Sequence, residues 1–488
     1  MNKYNLQKML TPKSSLPLLL AFILPLFSWV YLALICEMVI IHDSLEYERL
    51  GSVLASHPIL EYFKNGPNRE LLYPLTISLA MRVADFFSTS YLAVQKTIQI
   101  FIVILAQFLT LAILRRLKIN PLLTAVTILY LGFSPVIVNS IFNIYSEVIA
   151  YPLVLGIILT SLKCENIINQ ISHNSTQDLH WKSLGLWAIL LSTLFILITF
   201  VKASFEVITP IFLLMYIIKL IHALIQKKMK LAISLFIFTT LCLGLYSGAV
   251  AGYKFMNKIY NGQFILTSRG ASILYGNTMR RAAPLTVQRL LTNLSYLPDP
   301  DGHFCRKYFS QEQCIYESYK NSDIIAFKKS VELQAKGFSI SQINQIFLKL
   351  SFAEITAHPF QYLLLTFLEI FRAFSWESTT PKFVVYPEWI STVLNWTWLN
   401  RGLNCVLTLL TLASLIYAVI FVRKKTSMSS ERIIMYNILW LIGAYLLAHA
   451  PFLVILRHIL PIVPLYLILI GFFLQQIIFQ ENSSLRSY

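Results

Sequence analysis

An acidic stretch directly after the first apolar segment has the residue types and spacing for acid–base chemistry. It runs from His42 to Gly51 and contains Asp43, Glu46 and Tyr47. In a helix, residues three and four positions apart lie on one face, so these three side chains would point the same way. A carboxylate pair there can accept a proton or hold a metal ion. The alternative is that these residues are solvated loop charges beside a membrane helix.

Further polar residues are predicted to lie at the same face of the membrane. Carboxylates follow the early apolar segments, and cations follow the later ones. The set comprises Arg69, Glu70, Glu147, Lys202, Glu206, Arg269, Arg280, Arg281, His449, Arg457 and His458. A carboxylate that activates an acceptor and a cationic clamp for a phosphate need this kind of opposed arrangement.

Most of these residues also have a purely structural interpretation. Lys202 and Glu206 are four residues apart and fit an ion pair within one helix. The Arg457–His458 pair fits side chains that extend from a helix end to lipid headgroups. The Arg280–Arg281 pair fits contacts with anionic lipid.

Glu147 is harder to explain structurally, because it lies among apolar and aromatic residues at the start of an apolar segment. A carboxylate in such a place usually has a partner or a function. The histidines show no metal-binding spacing such as HExxH, so a structural role is favoured for them. Those considered are His42, His57 and His449.

The composition indicates a polytopic membrane protein. The chain has 488 residues, of which 56% are hydrophobic and 13% are charged, and its mean hydropathy is +0.64. A soluble protein of this length with so apolar a composition would not stay dispersed in water. The first apolar segment is too long for a cleavable signal and is expected to remain as an anchor. The net charge is +17. Much of it lies in short basic loops that set the membrane topology, and the rest could attract phosphate groups, so no nucleic-acid partner is expected.

Three basic clusters, which begin at Arg115, Lys227 and Arg423, mark the predicted cytoplasmic side. With all three inside, the chain crosses the membrane roughly ten times and both termini are cytoplasmic. Residues 71–88 are then expected to lie at the outer interface, and residues 360–376 to be interfacial or re-entrant. The predicted spans are 16–41, 92–114, 121–140, 147–163, 183–201, 204–225, 230–252, 395–422, 432–452 and 459–479.

The predicted fold class is therefore an all-α integral membrane protein in three parts. Residues 1–252 form an N-terminal transmembrane catalytic module, with a first outer loop at 42–91. Residues 253–359 form a large outer, or periplasmic, segment, and residues 360–488 form a C-terminal transmembrane module. The outer segment has a turn signal at Asp299–Gly302 and helical spacing afterwards, which predicts a small helical cap.

The cysteines leave one question open in this outer segment. Cys305 and Cys314 both lie within it and would form a disulfide if the segment faces an oxidising space. Two free thiols are the alternative.

Five short stretches follow one another in order across most of the chain: Asp43–Tyr47 with Gly51, Asn68–Leu75, Ser134–Pro135 with Tyr145–Glu147, Thr267–Asn277, and Arg457–Leu465. Together they resemble motifs of the GT-C superfamily of polytopic glycosyltransferases. They are similar to those of bacterial members of the dolichyl-phosphate-mannose-protein mannosyltransferase-like family and of aminoarabinose transferases. Their combination with the predicted topology carries the resemblance, because hydropathy alone would also fit a transporter.

The resemblance implies that a sugar moves from a polyprenyl-phosphate donor to a lipid, glycan or protein acceptor at the outer face. The chain would be a hexosyl- or pentosyltransferase that inverts the anomeric centre, with Asp43 as the general base. The catalytic carboxylates would be Asp43, Glu46 and Glu147. The substrate-binding residues would be Tyr47, Arg69, Glu70, Lys202, Arg269, Arg457 and His458.

The resemblance leaves the cofactor and the acceptor open. Glu70 lies near the place of a metal-binding carboxylate in aminoarabinose transferases, but no histidine partner can be placed for it. A divalent metal ion is therefore left open, and no other cofactor is expected. Ser44 follows Asp43 where protein O-mannosyltransferases have adjacent Asp and Glu, which argues against a protein acceptor. The WWDYG-type motif of oligosaccharyltransferase is absent.

The expected location is a bacterial inner membrane, with the site facing the periplasm and lipids as further partners. Two alternatives remain at this stage. A transporter or lipid-linked oligosaccharide flippase would place charged residues along a path at the middle of the bilayer. A scaffold with a degenerate site would tolerate the loss of Asp43.

Overall fold

A computed structural model describes residues 12–173, 178–297, 302–378, 383–423, 429–452 and 456–484. Within these residues, nine helices are long and apolar enough to cross a membrane, or ten if one bent pair of helices is a single crossing. This agrees with the predicted all-α class and with roughly ten spans. The predicted turn at Asp299–Gly302 lies largely outside the described residues.

The chain forms helices almost throughout. The first part comprises α1 Pro12–Ile35, α2 Asp43–Ser56, α3 Ile59–Lys64, α4 Leu72–Phe87, α5 Tyr91–Arg116, α6 Pro121–Phe133, α7 Pro135–Ile141, α8 Glu147–His173, α9 Asp178–Thr199, α10 Phe205–Ile225 and α11 Met229–Asn261. The middle part comprises α12 Gly270–Ala282, α13 Val287–Leu294, α14 His303–Tyr308, α15 Gln311–Glu317, α16 Tyr319–Ala335 and α17 Ile340–Ala357. The last part comprises α18 Pro359–Ile370, α19 Glu388–Leu394, α20 Thr397–Arg423, α21 Ser430–His449, α22 Leu456–Ile459 and α23 Val463–Ser484.

The first apolar segment is shorter as a helix than its predicted range of 16–41. Helix α1 ends at Ile35, and residues Glu37–Met38 form strand β1. This strand pairs antiparallel with β2, Val384–Val385, with Glu37 opposite Val385. The pairing of β1 with β2 explains why the apolar sequence continues beyond the end of α1, since a strand packed between other elements is also largely apolar.

The helices predicted not to cross are short. Helix α4 has 16 residues and α18 has 12, whereas a perpendicular crossing needs about 20. Their position at an interface stays a prediction. Helix α11 is long instead: its 33 residues span about 50 Å, and it continues past residue 252, where the outer segment was predicted to begin.

The bent pair of helices has a clear local cause. Helices α6 and α7 meet at an angle of 51°, and Pro135 lacks the N–H that a continuous helix would require. The Glu377 carboxylate stabilises the break, because it accepts hydrogen bonds from the Tyr130 hydroxyl at 2.6 Å, the Ser134 hydroxyl at 2.7 Å and the Val136 N–H at 3.0 Å. Burial raises the pKa of Glu377.

Helices α12 to α17 confirm the prediction of a mainly helical middle segment, here called the cap. Cys305 and Cys314 form a disulfide within it, which answers the question that the sequence left open. Helices α12 and α16 pack closely at Gly276, where a β-carbon would lie 2.0 Å from the Ser322 carbonyl oxygen. Any larger residue at position 276 would push these two helices apart.

A buried ionic network joins the cap to α18. Arg280 and Arg281 are 1% and 0% exposed, and both pair with Glu369 at 2.6 Å. Arg280 also lies 3.5 Å from the Glu317 carboxylate. Neither arginine is available to lipid, so the interpretation of Arg280 and Arg281 as a lipid contact is wrong.

Candidate functional site

Charged side chains from six separate stretches converge at one end of the helical bundle, here called the site end. Each lies at or next to a helix end: Asp43 begins α2, Glu147 begins α8, and Arg457 lies in α22. Lys202 follows α9, and Arg269 precedes the first cap helix. Arg69 lies shortly before α4. Most of the residues predicted to form a site are thus brought together by the fold.

Asp43 is surrounded by arginines. Its carboxylate accepts hydrogen bonds from Arg69 and, at 2.8 Å, from Nη1 of Arg457. Arg269 lies 3.5 Å from the same carboxylate. Burial alone would raise the pKa of Asp43, but Arg457 and Arg69 outweigh this effect and hold the pKa below its usual value. Asp43 is therefore a carboxylate, and not a carboxylic acid, at neutral pH.

Glu147 is the second carboxylate of the cluster and is fully buried. It accepts hydrogen bonds from Nζ of Lys202 at 2.5 Å and from Nε of Arg457 at 2.9 Å. Arg457 thus binds Glu147 through one nitrogen and Asp43 through another. A single planar guanidinium can bridge two carboxylates in this way because its donors point in fixed directions.

The loop before Glu147 is held by buried hydrogen bonds. The Gln99 amide donates to the carbonyls of Ile141 at 2.5 Å and Asn143 at 3.0 Å. The Tyr73 hydroxyl donates to the Gln99 carbonyl oxygen at 2.8 Å. These contacts fix the turn between α7 and α8, and therefore the position from which Glu147 reaches the cluster.

Aromatic rings line the cluster and restrict its cations. The Arg457 guanidinium lies 4.2 Å from the centre of the Tyr145 ring. The Arg69 guanidinium lies 5.0 Å from the centre of the Tyr47 ring. The Tyr47 hydroxyl donates to Ser146 at 3.2 Å. Tyr47 therefore packs its ring against Arg69 and contacts Ser146 through its hydroxyl.

Three predicted site residues have other contacts. Glu46 pairs with Arg49 at 2.7 Å on the same helix. Glu70 accepts a hydrogen bond from the Ala203 N–H at 2.7 Å, which holds the loop that carries Lys202. The His458 backbone carbonyl accepts a hydrogen bond from Tyr445. Glu70 thus stabilises the loop of Lys202 and does not contact the cluster's carboxylates. The described contacts of Glu46 are with residues outside the cluster.

The interpretation of Lys202 and Glu206 as an ion pair within one helix is wrong. Lys202 pairs with Glu147, which lies 55 residues earlier in the chain. Glu206 instead pairs with Lys254 on α11. Spacing within one helix could not reveal either contact, because both partners belong to neighbouring helices.

The cap contributes an acidic residue that the sequence analysis did not identify. Asp323 lies in the first turns of α16. Asp323 is exposed to solvent, and its pKa is raised by partial desolvation and then by the nearby charge of Asp43. The cap therefore places a third carboxylate close to the cluster. No motif marks it, because its approach to Asp43 depends on how α16 docks.

The cluster is better suited to an anion than to a metal ion. Two carboxylates, Asp43 and Glu147, directly contact four cations, Arg69, Lys202, Arg269 and Arg457. The cations are therefore in excess. Within the described part of the chain, no group of three or more His, Cys, Asp and Glu side chains is arranged to hold a metal ion. The donor set around Asp43 does not fit a divalent ion, since Arg69 and Arg457 occupy both of its carboxylate oxygens, and one oxygen of Glu70 accepts from the Ala203 N–H.

Comparisons with known proteins add no assignment. No protein-family model matches the chain, and no curated protein matches it.

Proposed function

We propose that the chain is a GT-C-type membrane glycosyltransferase. It moves a sugar from a polyprenyl-phosphate donor to an envelope lipid, glycan or protein acceptor and inverts the anomeric centre. The observation that carries this proposal is the bridge of Arg457 between Asp43, at 2.8 Å, and Glu147, at 2.9 Å. In the proposed complex the sugar lies between Asp43 and the phosphate that Arg457 binds, because inversion needs the base and the leaving phosphate on opposite sides of the anomeric carbon.

In the proposed reaction, Asp43 accepts the proton of the acceptor hydroxyl. The acceptor oxygen bonds to the anomeric carbon, the bond from that carbon to the phosphate oxygen breaks, and the electron pair leaves with the phosphate. Arg457, Lys202 and Arg269 stabilise the charge that develops on the phosphate. Glu147 holds Arg457 and Lys202 in place. No step requires a metal ion.

The resting contacts suggest how donor binding is linked to activation of the base. In the structure, the guanidinium of Arg457 is engaged by two carboxylates. A donor phosphate offers the same kind of acceptor oxygens and competes for these donors. When the phosphate takes them, Asp43 loses its strongest partners, its pKa rises towards the usual range, and it becomes a better base.

The proposed location is a bacterial inner membrane with the site end at the periplasmic face. Two observations support the orientation. The disulfide between Cys305 and Cys314 is in the cap, and disulfides persist in oxidising compartments. The basic clusters at Arg115 and Lys227 lie at the other ends of the helices, as expected for the cytoplasmic side. Membrane lipids surround the exposed apolar faces of the spans.

The second candidate is a transporter or a flippase for lipid-linked oligosaccharides. It requires charged residues along a path across the bilayer. The cluster lies instead at helix ends, which favours the enzyme.

Arg457→Lys tests the phosphate clamp. Lysine keeps the positive charge but cannot bind Asp43 and Glu147 through separate planar donors, so we expect transfer to fall by about 100-fold. The measurement is the loss of radiolabelled sugar from polyprenyl phosphate by the purified chain in liposomes. The matched control is Arg49→Lys, since the Arg49 side chain is 44% exposed and pairs with Glu46. An equal loss in both variants, or no loss with Arg457→Lys, would contradict the assigned role.

A further inference from the structure

A cavity of about 410 Å³ opens at the end of the bundle opposite the candidate site. Its lining comes from the end of α5, the turn after it, the middle of α8 and the start of α21. Lys163 marks the distance between the two regions, because it follows Glu147 by 16 positions on the same helix, or about 24 Å. The cavity is therefore separate from the cluster at the site end.

The cavity is strongly basic. Four cations line it: Arg115, Arg116, Lys118 and Lys163. Among its described lining residues the one carboxylate is Glu431, and this residue pairs with Lys118 at 2.8 Å. The structure shows no ion pair for the other three cations within the described ranges, so their charge is directed to the cavity and the solvent.

The start of α21 adds to this positive potential. The helix has 20 residues, and the Ser429 hydroxyl caps it by accepting from the Arg432 N–H. Ser429 and Ser430 both line the cavity. The N-terminus of a helix carries partial positive charge and offers N–H and hydroxyl donors to anions. The cavity volume also falls in the range of ordinary ligand sites.

Membrane topology explains basic loops but not this convergence. Arg115 and Arg116 end a span, as the positive-inside rule predicts. Lys163 does not belong to a loop, since α8 continues to His173. Residues from three parts of the chain thus surround one space, whereas the topology rule requires only that each loop carry charge.

We propose that this cavity binds a phosphate group, either the headgroup of an anionic lipid in the adjoining leaflet or a free phosphate compound. The cations and the start of α21 supply the charge, and Asn166 with the two serines supplies neutral donors. The site is independent of the proposed transfer reaction, because it lies at the other end of the helices. Its failure would leave the candidate active site unaffected.

The test measures binding of short-chain phosphatidylglycerol, short-chain phosphatidylcholine and inorganic phosphate to the full chain in detergent, through the shift of its melting temperature. We expect Arg116→Gln with Lys163→Gln to weaken phosphatidylglycerol binding by about 25-fold, at about fivefold for each cation. The matched control is Lys227→Gln with Lys228→Gln, which removes the same charge from an exposed loop at that end. The control variant should stay within about twofold of wild type.

Each outcome decides the proposal. Selective weakening in the cavity variant supports it, and the probe that shows the weakening identifies the source: phosphatidylglycerol alone indicates a lipid headgroup, and inorganic phosphate indicates a free compound. Equal weakening in the two double variants would show that the whole basic surface is responsible and would overturn the proposal. The proposal would also be overturned if the wild-type chain bound phosphatidylglycerol and inorganic phosphate no more tightly than it binds phosphatidylcholine.

Discussion

Asp43→Asn is expected to lower sugar transfer by about a thousandfold and, at the same time, to strengthen donor binding. The loss follows from the proposed role of Asp43 as general base, since such a group typically contributes two to four orders of magnitude in rate. Asparagine is close to aspartate in shape but cannot accept the acceptor proton at neutral pH.

The gain in binding follows from the resting contacts of Asp43. Its carboxylate engages Arg69, Arg269 and Arg457. Removal of that charge leaves these cations freer to bind a phosphate, and the loss of one charge-assisted competitor corresponds to about tenfold tighter binding. A purely structural role for Asp43 would instead weaken binding and turnover together.

The two effects are measured separately, as the dissociation constant for a polyprenyl phosphate and as the rate of label transfer at saturating donor. Glu46→Gln serves as the control because Glu46 lies on the same helix and contacts Arg49 and Asn68. We expect its transfer rate to stay within about threefold of wild type. Weaker donor binding by Asp43→Asn, or an equal loss of transfer in both variants, would contradict the proposed base.

Arg281→Met is expected to destabilise the protein by about 1–3 kcal/mol, because it leaves a buried acceptor without its donor, whereas Glu369 keeps Arg280 as an ion partner. Arg281 donates to Glu369 at 2.6 Å and to the carbonyl oxygens of Ala450 at 2.7 Å and Pro451 at 3.1 Å. Burial alone would raise the pKa of Glu369, but Arg280 and Arg281 hold it well below its usual value. Methionine fills similar space but cannot donate, so the Ala450 carbonyl loses the Arg281 donor, while the Pro451 carbonyl keeps the Tyr362 hydroxyl and Glu369 keeps Arg280.

Thermal unfolding in detergent measures this effect. The control is Lys336→Met in the exposed pair with Glu332, where the two side chains are 59% and 43% accessible and the loss of the pair should barely change the melting temperature. An unchanged melting temperature for Arg281→Met would show that the cap does not depend on this network. Because Ala450 and Pro451 precede the segment that leads to Arg457, reduced transfer in any folded Arg281→Met protein is also expected.

The sequence predicted which helix ends would carry charge, and the structure brings most of these residues together. Hydropathy defined the spans because about 20 apolar residues are required to cross a bilayer. The basic clusters then ordered the spans, so Asp43, Glu147, Lys202 and Arg457 were all expected at one face. The helix at Asp43 was only a condition of the sequence argument, which placed Asp43, Glu46 and Tyr47 on one face if the stretch were helical; the structure shows that a helix begins there.

The ion pairs between residues of the cluster could not be predicted from the sequence in this way. Arg457 lies 414 residues from Asp43 and 310 from Glu147, and no local pattern encodes a contact at such separation. Arg280 and Arg281 were expected at a phosphate or lipid surface, but the docking of the cap onto α18 buries them. Asp323 was missed because no local pattern in α16 shows that this helix brings an exposed carboxylate near Asp43.

The measurement that tests the proposed enzyme most directly follows both the sugar and its carrier. The purified wild-type chain is placed in liposomes with a mixture of polyprenyl phosphates whose sugars are radiolabelled, together with an envelope-lipid extract as acceptor. The proposal predicts that label leaves the carrier and appears on an acceptor, and that Asp43→Asn does not catalyse this transfer. Label that stays on the carrier while the intact lipid crosses the bilayer would contradict the enzyme and support the flippase.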